Sequence, residues 1–283
     1  MKALYDIPAP AKLNLFLHIV GRRADGYHLL ESVFMLIDWC DTLHVELRPG
    51  GQISREDLSA PLPADDLVLR AARALQQASG TQLGAHIAID KRIPAQAGMG
   101  GGSSDAASTL LALNRLWGLK LSRAELQAVG LKLGADVPFF IGGHNAWVSG
   151  IGEQLTPISL PPARFVVCKP DAGLETQRIF LHPALKRDTE PATMPGFAAD
   201  PYGFGRNDLQ AVALQLCPEM AQTLSWLSSQ GLNGRMTGSG SAVFARMSHD
   251  ITLAKAPDFC QMKLCNNLPS HPLLGWADEV SFR

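Results

Sequence analysis

The sequence predicts a globular protein that combines β-strands with α-helices, and three observations support this. The chain has 283 residues, which suits one large domain or two modest ones. Apolar residues make up 46% of the chain and charged residues 18%, values typical of a protein that buries a core. Segments in which apolar and polar residues alternate are followed by segments with apolar residues at helical spacing, so both kinds of secondary structure are expected.

The N-terminal part of the chain has strand patterns. In the segment from Pro10 to Val20, leucine or isoleucine occupies every second position from Leu13 to Ile19, which predicts a strand with one face in the core. The pair Asp25-Gly26 indicates a tight turn. The mostly apolar stretch from His28 to Asp38 predicts a buried strand, and the alternation resumes between Leu43 and Leu47.

Helical patterns follow in the next part of the chain. Apolar residues have helical spacing between Leu67 and Leu75, and Gly80 is a suitable end for this helix. A short strand is predicted around Ile87 and Ile89, and an Ala- and Leu-rich helix that extends to Leu116.

A further helix begins with a capping box. Ser122 and Glu125 have the required spacing, and the helix is predicted to end near Gly134. The segment Asp136-Val137-Pro138 lies just past this end, where the proline is expected to block continuation.

The second half of the chain has shorter elements. Arg164 to Cys168 predicts a strand, and Glu175 to Leu181 a short helix. Residues 186–205 are rich in Pro, Gly and Ala, which predicts a long loop. Asn207 is a good N-cap for a helix to Leu216.

The last predicted elements are a helix from Pro218 to Gln230 and a glycine-containing turn at residues 235–241, which leads into a strand from Ala242 to Met247. Three prolines cluster at Pro157, Pro161 and Pro162. This cluster places a domain boundary near residues 155–162, and therefore predicts domains at residues 1–160 and 161–283.

Charge and composition exclude several classes of protein. The net charge is −1 and the isoelectric point about 6.7, so no bulk positive field exists for nucleic acid or an anionic membrane. No apolar run reaches the length of about 18 residues that a membrane span needs. The first residues lack the apolar region of a signal peptide, and a cytoplasmic protein is expected.

The cysteines give no sign of a disulfide framework or a zinc site. The count of five is odd, and no pair has Cys-x-x-Cys spacing. We expect reduced and mostly buried thiols. The five are Cys40, Cys168, Cys217, Cys260 and Cys265.

A glycine-rich loop directly before a predicted helix is the strongest chemical signal. Residues 98–104 contain four glycines and two serines. Glycines let the backbone approach an anion, and a helix N-terminus adds a positive dipole end and unpaired N–H groups. The loop is neither a Walker A loop nor a dinucleotide fingerprint, since Gly-Lys-Ser/Thr is absent and Ser103 replaces the third glycine. Composition alone also allows a flexible surface loop.

The motifs in their order along the chain resemble those of the GHMP kinase superfamily. The run from Pro94 to Ala107 resembles its phosphate loop, and the segments 10–15 and 236–242 stand where its other motifs lie. The segment from Gly21 to His28 resembles the diphosphocytidyl-methylerythritol kinase branch in particular. Two further segments also resemble this branch, at residues 134–140 and 207–209.

This resemblance implies a two-domain α+β fold, with ATP and substrate sites in the cleft between an N-terminal ATP-binding domain and a C-terminal domain. It implies transfer of the γ-phosphate of ATP, with Mg²⁺, to the 2-hydroxyl of 4-diphosphocytidyl-2-C-methyl-D-erythritol, a step of the non-mevalonate route to isoprenoids. The implied ATP-binding residues are Pro94, Ala95, Gln96, Ala97, Gly98, Met99, Gly100, Gly101, Gly102, Ser103 and Ser104.

Lys12 and Asp136 match the catalytic residues of the family. A carboxylate at Asp136 would accept the proton of the attacking hydroxyl, and Lys12 would orient it and neutralise charge on the phosphate. Local sequence alone also fits a turn-capping aspartate and a lysine on a solvated strand face.

The implied substrate contacts are Asn14, Tyr27, His28, Thr176 and Phe180. Asn14 shares a strand face with the lysine two residues earlier. An aromatic ring at position 27 or 180 would stack on cytosine, and the histidine would read its polar edge. Core packing is the alternative for Phe180.

The metal ligands are left open by the sequence. Ser103 and Ser104 would donate to phosphate, ligate Mg²⁺ or cap the following helix. Asp105 stands in the first turn of that helix, where a carboxylate suits the dipole but repels phosphate.

Two other functions remain open at this point. One is a different GHMP kinase, acting on homoserine, mevalonate or a sugar; the segment from Gly21 to His28 argues against it, because such substrates need no cytosine pocket. The other is a non-catalytic nucleotide-binding protein, against which the presence of both Lys12 and Asp136 argues.

Overall fold

A computed structural model of the protein describes residues 1–247 and 251–278 and contains two β-sheets with helices packed around them. The strands of the first sheet are β1 (Ala3–Arg22), β2 (His28–Arg48), β3 (Ile53–Asp57), β4 (Gly84–Asp90), β5 (Ala146–Ser149) and β6 (Gln154–Pro157). The strands of the second are β7 (Arg164–Pro170), β8 (Arg235–Met236), β9 (Val243–Met247) and β10 (Cys260–Asn266). The helices are α1 (Leu67–Ser79), α2 (Gly101–Leu116), α3 (Arg123–Leu131), α4 (Val137–Gly142), α5 (Thr176–Phe180), α6 (Met194–Ala199), α7 (Gln210–Leu216) and α8 (Pro218–Ser229), with a 3₁₀ turn at Leu274–Trp276.

A long antiparallel hairpin of β1 and β2 organises the first sheet. The first part of β2 also pairs with β5, and its last part pairs with β4. The edge strand β3 runs parallel to β4, whereas the other pairs are antiparallel. Residues of β1 reach both layers, since Ile7 packs with the helices on the first sheet and Leu17 packs with the core of the second sheet.

The second sheet is antiparallel, with the strand order β10-β7-β9-β8. Its apolar residues form a core with α5, α7 and α8, which includes Val166, Ile179 and Leu227. The first sheet packs on its other side against α1, α2 and α4, through residues such as Leu36 and Leu110.

A third apolar cluster joins the hairpin to the second sheet. Leu13 and Leu15 of β1 pack there together with Phe165 and Phe244. The opposite face of β1 is also buried, since Lys12 and Asn14 are 4% and 1% exposed. The alternative of a solvated strand face is therefore wrong, and these two polar side chains lie inside the protein.

The predicted α+β class is confirmed, and most predicted elements are present. The helix after residue 66 ends as expected, because Gly80 adopts the left-handed conformation and its N–H bonds to Gln76 O. The capping box of Ser122 and Glu125 is formed at the start of α3. The two strands predicted for residues 28–38 and 43–47 are one continuous strand, β2.

Two helices were not predicted, and a third begins later than expected. Helix α3 ends before Pro138, as predicted, but Pro138 also lies in the first turn of an unpredicted helix, α4, where no N–H partner is needed. Helix α6 lies inside the predicted loop 186–205, capped by Thr193. Asn207 accepts from Leu209 N, and α7 starts only at Gln210.

The predicted boundary between residues 160 and 161 stays a prediction. The first sheet ends at Pro157 and the second begins at Arg164, which agrees with a boundary in this interval. Residues 279–283 of the second predicted domain lie outside the described residues. Within residues 1–247 and 251–278, no helix combines the length and the hydrophobicity needed to cross a membrane.

Candidate active site

A single cleft of about 880 Å³ contains most of the predicted site residues. Its lining comes from both sides of the predicted boundary: the polar face of β1, the phosphate loop, the start of α4, helix α5 and the turn at residues 238–240. The predicted residues that line it are Lys12, Asn14, Pro94, Ala95, Gln96, Ala97, Gly98, Met99, Gly100, Gly101, Gly102, Ser103, Asp136, Thr176 and Phe180.

The phosphate loop is held against the glycine turn of the second half of the chain. Ser241 N donates to Gln96 O at 3.1 Å, and Ala242 N donates to Ala97 O at 3.3 Å. A Cβ at Gly98 would lie 2.3 Å from Thr237 O, and a Cβ at Gly238 would lie 2.5 Å from Gly98 O. Both glycines have positive φ, so close backbone approach and conformation each require glycine here.

The loop then turns into helix α2. Gly100 has a φ of 72° and occupies the N-cap position, and Ser104 N donates to Gly100 O at 2.9 Å. The N–H groups of residues 101–103 therefore come before the first intrahelical bond, which leaves them available to an anion. Gly101, unlike Gly100, does not have a positive φ, but a Cβ there would meet the Ile93 side chain at 3.0 Å.

The two serines of the loop have different environments. Ser103 lines the cleft, whereas Ser104 is fully buried and does not line it. Within the described part of the chain, Ser104 Oγ has no hydrogen-bond partner. Ser103 is therefore the serine whose hydroxyl is accessible to a ligand in this cleft.

Lys12 and Asp136 face each other across the cleft, with 3.7 Å between Lys12 Nζ and Asp136 Oδ2. The ammonium group also donates to Asn14 Oδ1 at 2.5 Å and lies 4.5 Å from the centre of the Phe34 ring. Burial lowers the pKa of Lys12, and the nearby Asp136 opposes this shift. Asp136 occupies the N-cap position of α4 without a side-chain cap bond, so its carboxylate is not engaged as a turn cap.

Asn14 is fixed by partners on three elements. Its Nδ2 donates to Ser32 Oγ at 2.9 Å, and its backbone N donates to Thr237 Oγ1 at 2.8 Å. The backbone N of Lys12 donates to Met99 O at 3.0 Å. These bonds tie the polar face of β1 to the phosphate loop and the glycine turn, so the positions of both side chains are strongly restricted.

Beneath the phosphate loop, Lys91 lies between two buried carboxylates. Its Nζ donates to Asp105 Oδ2 at 2.5 Å and also to Asp41. Burial raises the pKa of Asp105 to about 8, although Lys91 favours its charged form. Asp105 is therefore bonded to a lysine rather than placed alone against the phosphates, which the sequence did not indicate.

An apolar wall next to the phosphate loop was not predicted. It consists of Leu62, Pro63 and Leu67, which line the cleft together with Ile93. Leu62 and Pro63 lie between β3 and α1, Leu67 begins α1, and Ile93 follows β4. In the sequence, the one sign of this wall is a run of apolar residues after Ser59. Apolar side chains beside a phosphate cradle suit the flat face of a nucleotide base.

The other end of the cleft is built by α5 and the start of β2. Phe180 lines the cleft, and its ring lies 5.2 Å from the ring of His28, centre to centre. Thr176 Oγ1 is 2.7 Å from Ser239 Oγ of the glycine turn. His28 does not itself line the cleft, and Tyr27 is 61% exposed on the turn between β1 and β2. The structure therefore brings His28 and Phe180 together but leaves Tyr27 outside.

Comparisons with known proteins agree with this geometry. Residues 66–144 match the family model described as "GHMP kinases N terminal domain", and residues 196–259 match "GHMP kinases C terminal". The chain is 69% identical to a protein of Albidiferax ferrireducens named 4-diphosphocytidyl-2-C-methyl-D-erythritol kinase, covering 98% of this chain and 96% of that one. It is 65% identical to a protein of the same name from Paracidovorax citrulli, covering 99% of each.

A solved structure supports the same assignment at the level of the fold. The crystal structure of a 4-(cytidine 5'-diphospho)-2C-methyl-D-erythritol kinase superposes with a TM-score of 0.77 and 34% identity, covering 92% of this chain and 98% of that one. The chain therefore belongs to the GHMP kinases and, within them, to the family of 4-diphosphocytidyl-2-C-methyl-D-erythritol kinases.

Proposed function

We infer that this protein transfers the γ-phosphate of ATP to the 2-hydroxyl of 4-diphosphocytidyl-2-C-methyl-D-erythritol. The observation that carries this inference is one cleft that joins a glycine-rich helix N-terminus, a buried lysine near a carboxylate, and Phe180, whose ring has His28 beside it. The names of relatives that are 65–69% identical over nearly the whole chain support the same substrate. The reaction belongs to the non-mevalonate route to isoprenoid precursors.

The phosphates of ATP would lie at residues 98–104. The N–H groups at the start of α2 and the positive end of its dipole favour a polyanion there. The apolar wall of Leu62, Pro63 and Leu67 would contact the adenine base. Gly98 packs directly against the glycine turn, and this contact would help to hold the loop in shape.

Lys12 and Asp136 would act on the transferred group. An alcohol is a weak nucleophile, and the Asp136 carboxylate would accept its proton as the phosphoryl group leaves ATP. Lys12, held by Asn14 and close to Asp136, would stabilise the negative charge that spreads over the phosphoryl oxygens. A buried ammonium interacts strongly with such charge, because little water screens it.

The residues present fit a Mg²⁺ ion, which GHMP kinases are expected to use with ATP. Ser103 lines the cleft at the phosphate loop, and a hydroxyl oxygen, together with the phosphate oxygens of ATP, is a ligand that Mg²⁺ accepts. When bound, the ion would neutralise phosphate charge. Ser103 would hold it more directly than Ser104, whose hydroxyl is buried away from the cleft.

The cytidine part of the substrate would lie at the opposite end of the cleft. Phe180 offers a ring for stacking, and His28 beside it offers polar ring atoms to the base edge. Thr176 and Asn14 line the same cleft, and they would bind the linking diphosphate or the alcohol. Tyr27 would need to close over the base, since it is exposed in this structure.

An ATP-consumption assay tests the proposed function. The purified protein with Mg-ATP should release ADP rapidly when the cytidine substrate is added, and only slowly with homoserine, mevalonate or galactose. Equal or faster turnover with one of the other alcohols would assign the protein to a different GHMP kinase. Nucleotide binding without turnover of any alcohol would favour a non-catalytic protein.

A further inference from the structure

Arg187, in the segment between α5 and α6, connects Phe180 to His28. Its Nε donates to His28 Nε2 at 3.0 Å. Its terminal nitrogens donate to three backbone carbonyls of the turn that follows α5: Phe180 O at 3.1 Å, His182 O at 3.0 Å and Leu185 O at 2.9 Å. The guanidinium group is therefore oriented by the backbone, and only Nε is directed to the histidine.

This contact determines which nitrogen of His28 carries the proton. A guanidinium group has only donors and stays protonated in proteins, so Nε2 of His28 must supply a lone pair. A neutral imidazole that accepts at Nε2 carries its hydrogen at Nδ1. Burial, together with the positive charges of Arg187 and Arg22, lowers the pKa of His28, which favours this neutral form.

The histidine with this fixed proton lies beside the stacking ring of the cleft. The His28 and Phe180 rings are tilted by 40° with 5.2 Å between their centres. Within residues 1–247 and 251–278, the structure records no hydrogen bond to His28 Nδ1, which leaves this donor for a ligand. A base stacked on Phe180 would have its edge within reach of His28.

We propose that Arg187 is a positioning residue that fixes His28 as an Nδ1–H donor, and that this donor makes the site select cytosine over uracil. The proposal rests on the proposed function, because it assigns the base end of the same cleft. At ring position 3 cytosine has an acceptor nitrogen, whereas uracil has an N–H donor. A fixed donor at that position forms a hydrogen bond with cytosine but meets a second donor in uracil, which leaves both donors without an acceptor.

The first test reads the tautomer directly. In protein labelled with ¹⁵N-histidine, long-range ¹H–¹⁵N spectra distinguish the protonated nitrogen from the lone-pair nitrogen of each ring, and His28→Gln identifies the signals. We expect His28 to be Nδ1–H in the wild-type protein and to become mixed, or mostly Nε2–H, in Arg187→Met. An unchanged tautomer in Arg187→Met would overturn the proposal.

The second test measures base selectivity. The ratio of kcat/KM for the cytidine substrate to that for its uridine analogue should fall about 5- to 100-fold in Arg187→Met, through KM rather than kcat. Arg187→Lys keeps a donor-only cation and should retain part of the tautomer preference and part of the selectivity. Equal losses for both pyrimidines would show a merely structural role and overturn the proposal.

Arg22→Met is the matched control. It also removes a positive charge near His28, but Arg22 Nε donates to Gly26 O rather than to the imidazole. The tautomer of His28 and the ratio of kcat/KM for the two pyrimidine substrates should stay as in the wild-type protein.

The two tests also separate this proposal from the proposed function. If wild-type protein used neither pyrimidine substrate, the proposed function would fail, while the tautomer measurement would still report on Arg187 alone.

Discussion

Replacing Asp136 with asparagine should reduce kcat while leaving both ligands bound. The side chain is about one-third exposed and makes no cap bond to α4, so its charge is not needed to hold the fold. Loss of a general base typically costs about 10²–10⁴ in rate, which corresponds to about 2.7–5.4 kcal/mol of activation free energy. The Asp136 effect falls at the low end if the transition state is loose and the residue chiefly positions the hydroxyl.

The distance to Lys12 sets how strongly the two residues depend on each other. Unit charges 3.7 Å apart interact by at most about 4.5 kcal/mol at an effective dielectric constant of about 20, and the partial exposure of Asp136 reduces this. Lys12→Met should therefore also reduce kcat strongly. Because the two side chains act as one unit, the double variant should be little worse than the worse single variant.

The assay compares steady-state kcat with ligand affinities measured by calorimetry. Asp65→Asn is the matched control, since Asp65 also lines the cleft but pairs with Arg73 at 3.0 Å rather than with Lys12. This control should keep a near-normal kcat. If Asp136→Asn kept most of its kcat, the catalytic assignment of Asp136 would be refuted, and multiplicative losses in the double variant would refute the paired action.

Three further predictions concern the two ends of the cleft and its base. Gly98→Ala should lower the thermal midpoint and weaken ATP binding in titrations, because its Cβ would lie 2.3 Å from a backbone oxygen; normal ATP affinity would contradict the phosphate assignment. Phe180→Ala should raise KM for the cytidine substrate, because about 1–3 kcal/mol of stacking free energy is lost. Tyr27→Ala should raise the same KM only if Tyr27 closes over the base. ATP affinity should be unchanged in both variants. The raised pKa of Asp105, about 8, means that the folded state disfavours its charged form. Wild-type protein should therefore lose stability relative to Asp105→Asn as pH rises from about 4 to 8, and the difference between their free energies of unfolding should level off above pH 8. A difference in denaturant unfolding that does not change with pH would contradict the assigned pKa.

Features set by neighbouring residues were predictable from the sequence. The capping box at Ser122, the glycine end at Gly80 and the glycine-rich loop before α2 each depend on a few consecutive residues, and all are present. The start of α4 at Pro138 was missed for the same local reason. Proline ends one helix and begins the next with equal ease, and only packing against the first sheet decides between the two.

Contacts between distant residues were not predictable. Lys91 bonds to carboxylates at positions 41 and 105, and the Arg187 contact to His28 spans 159 residues. No local pattern indicates that such residues meet, because the fold alone brings them together. The different orientations of Ser103 and Ser104 likewise follow from the start of α2, which turns one side chain to the cleft and the next into the core.

The most direct test of the proposed phosphoryl transfer is to identify the product. Wild-type protein, Mg-ATP and 4-diphosphocytidyl-2-C-methyl-D-erythritol should give ADP and one new phosphomonoester signal in ³¹P NMR. Two-dimensional ¹³C–³¹P coupling should place the new phosphate on the carbon that carries the 2-hydroxyl. Asp136→Asn should form the same product far more slowly. A phosphate on another hydroxyl, or ATP hydrolysis to inorganic phosphate without a new ester, would contradict the proposal that this cleft aligns the 2-hydroxyl with Asp136 and the γ-phosphate.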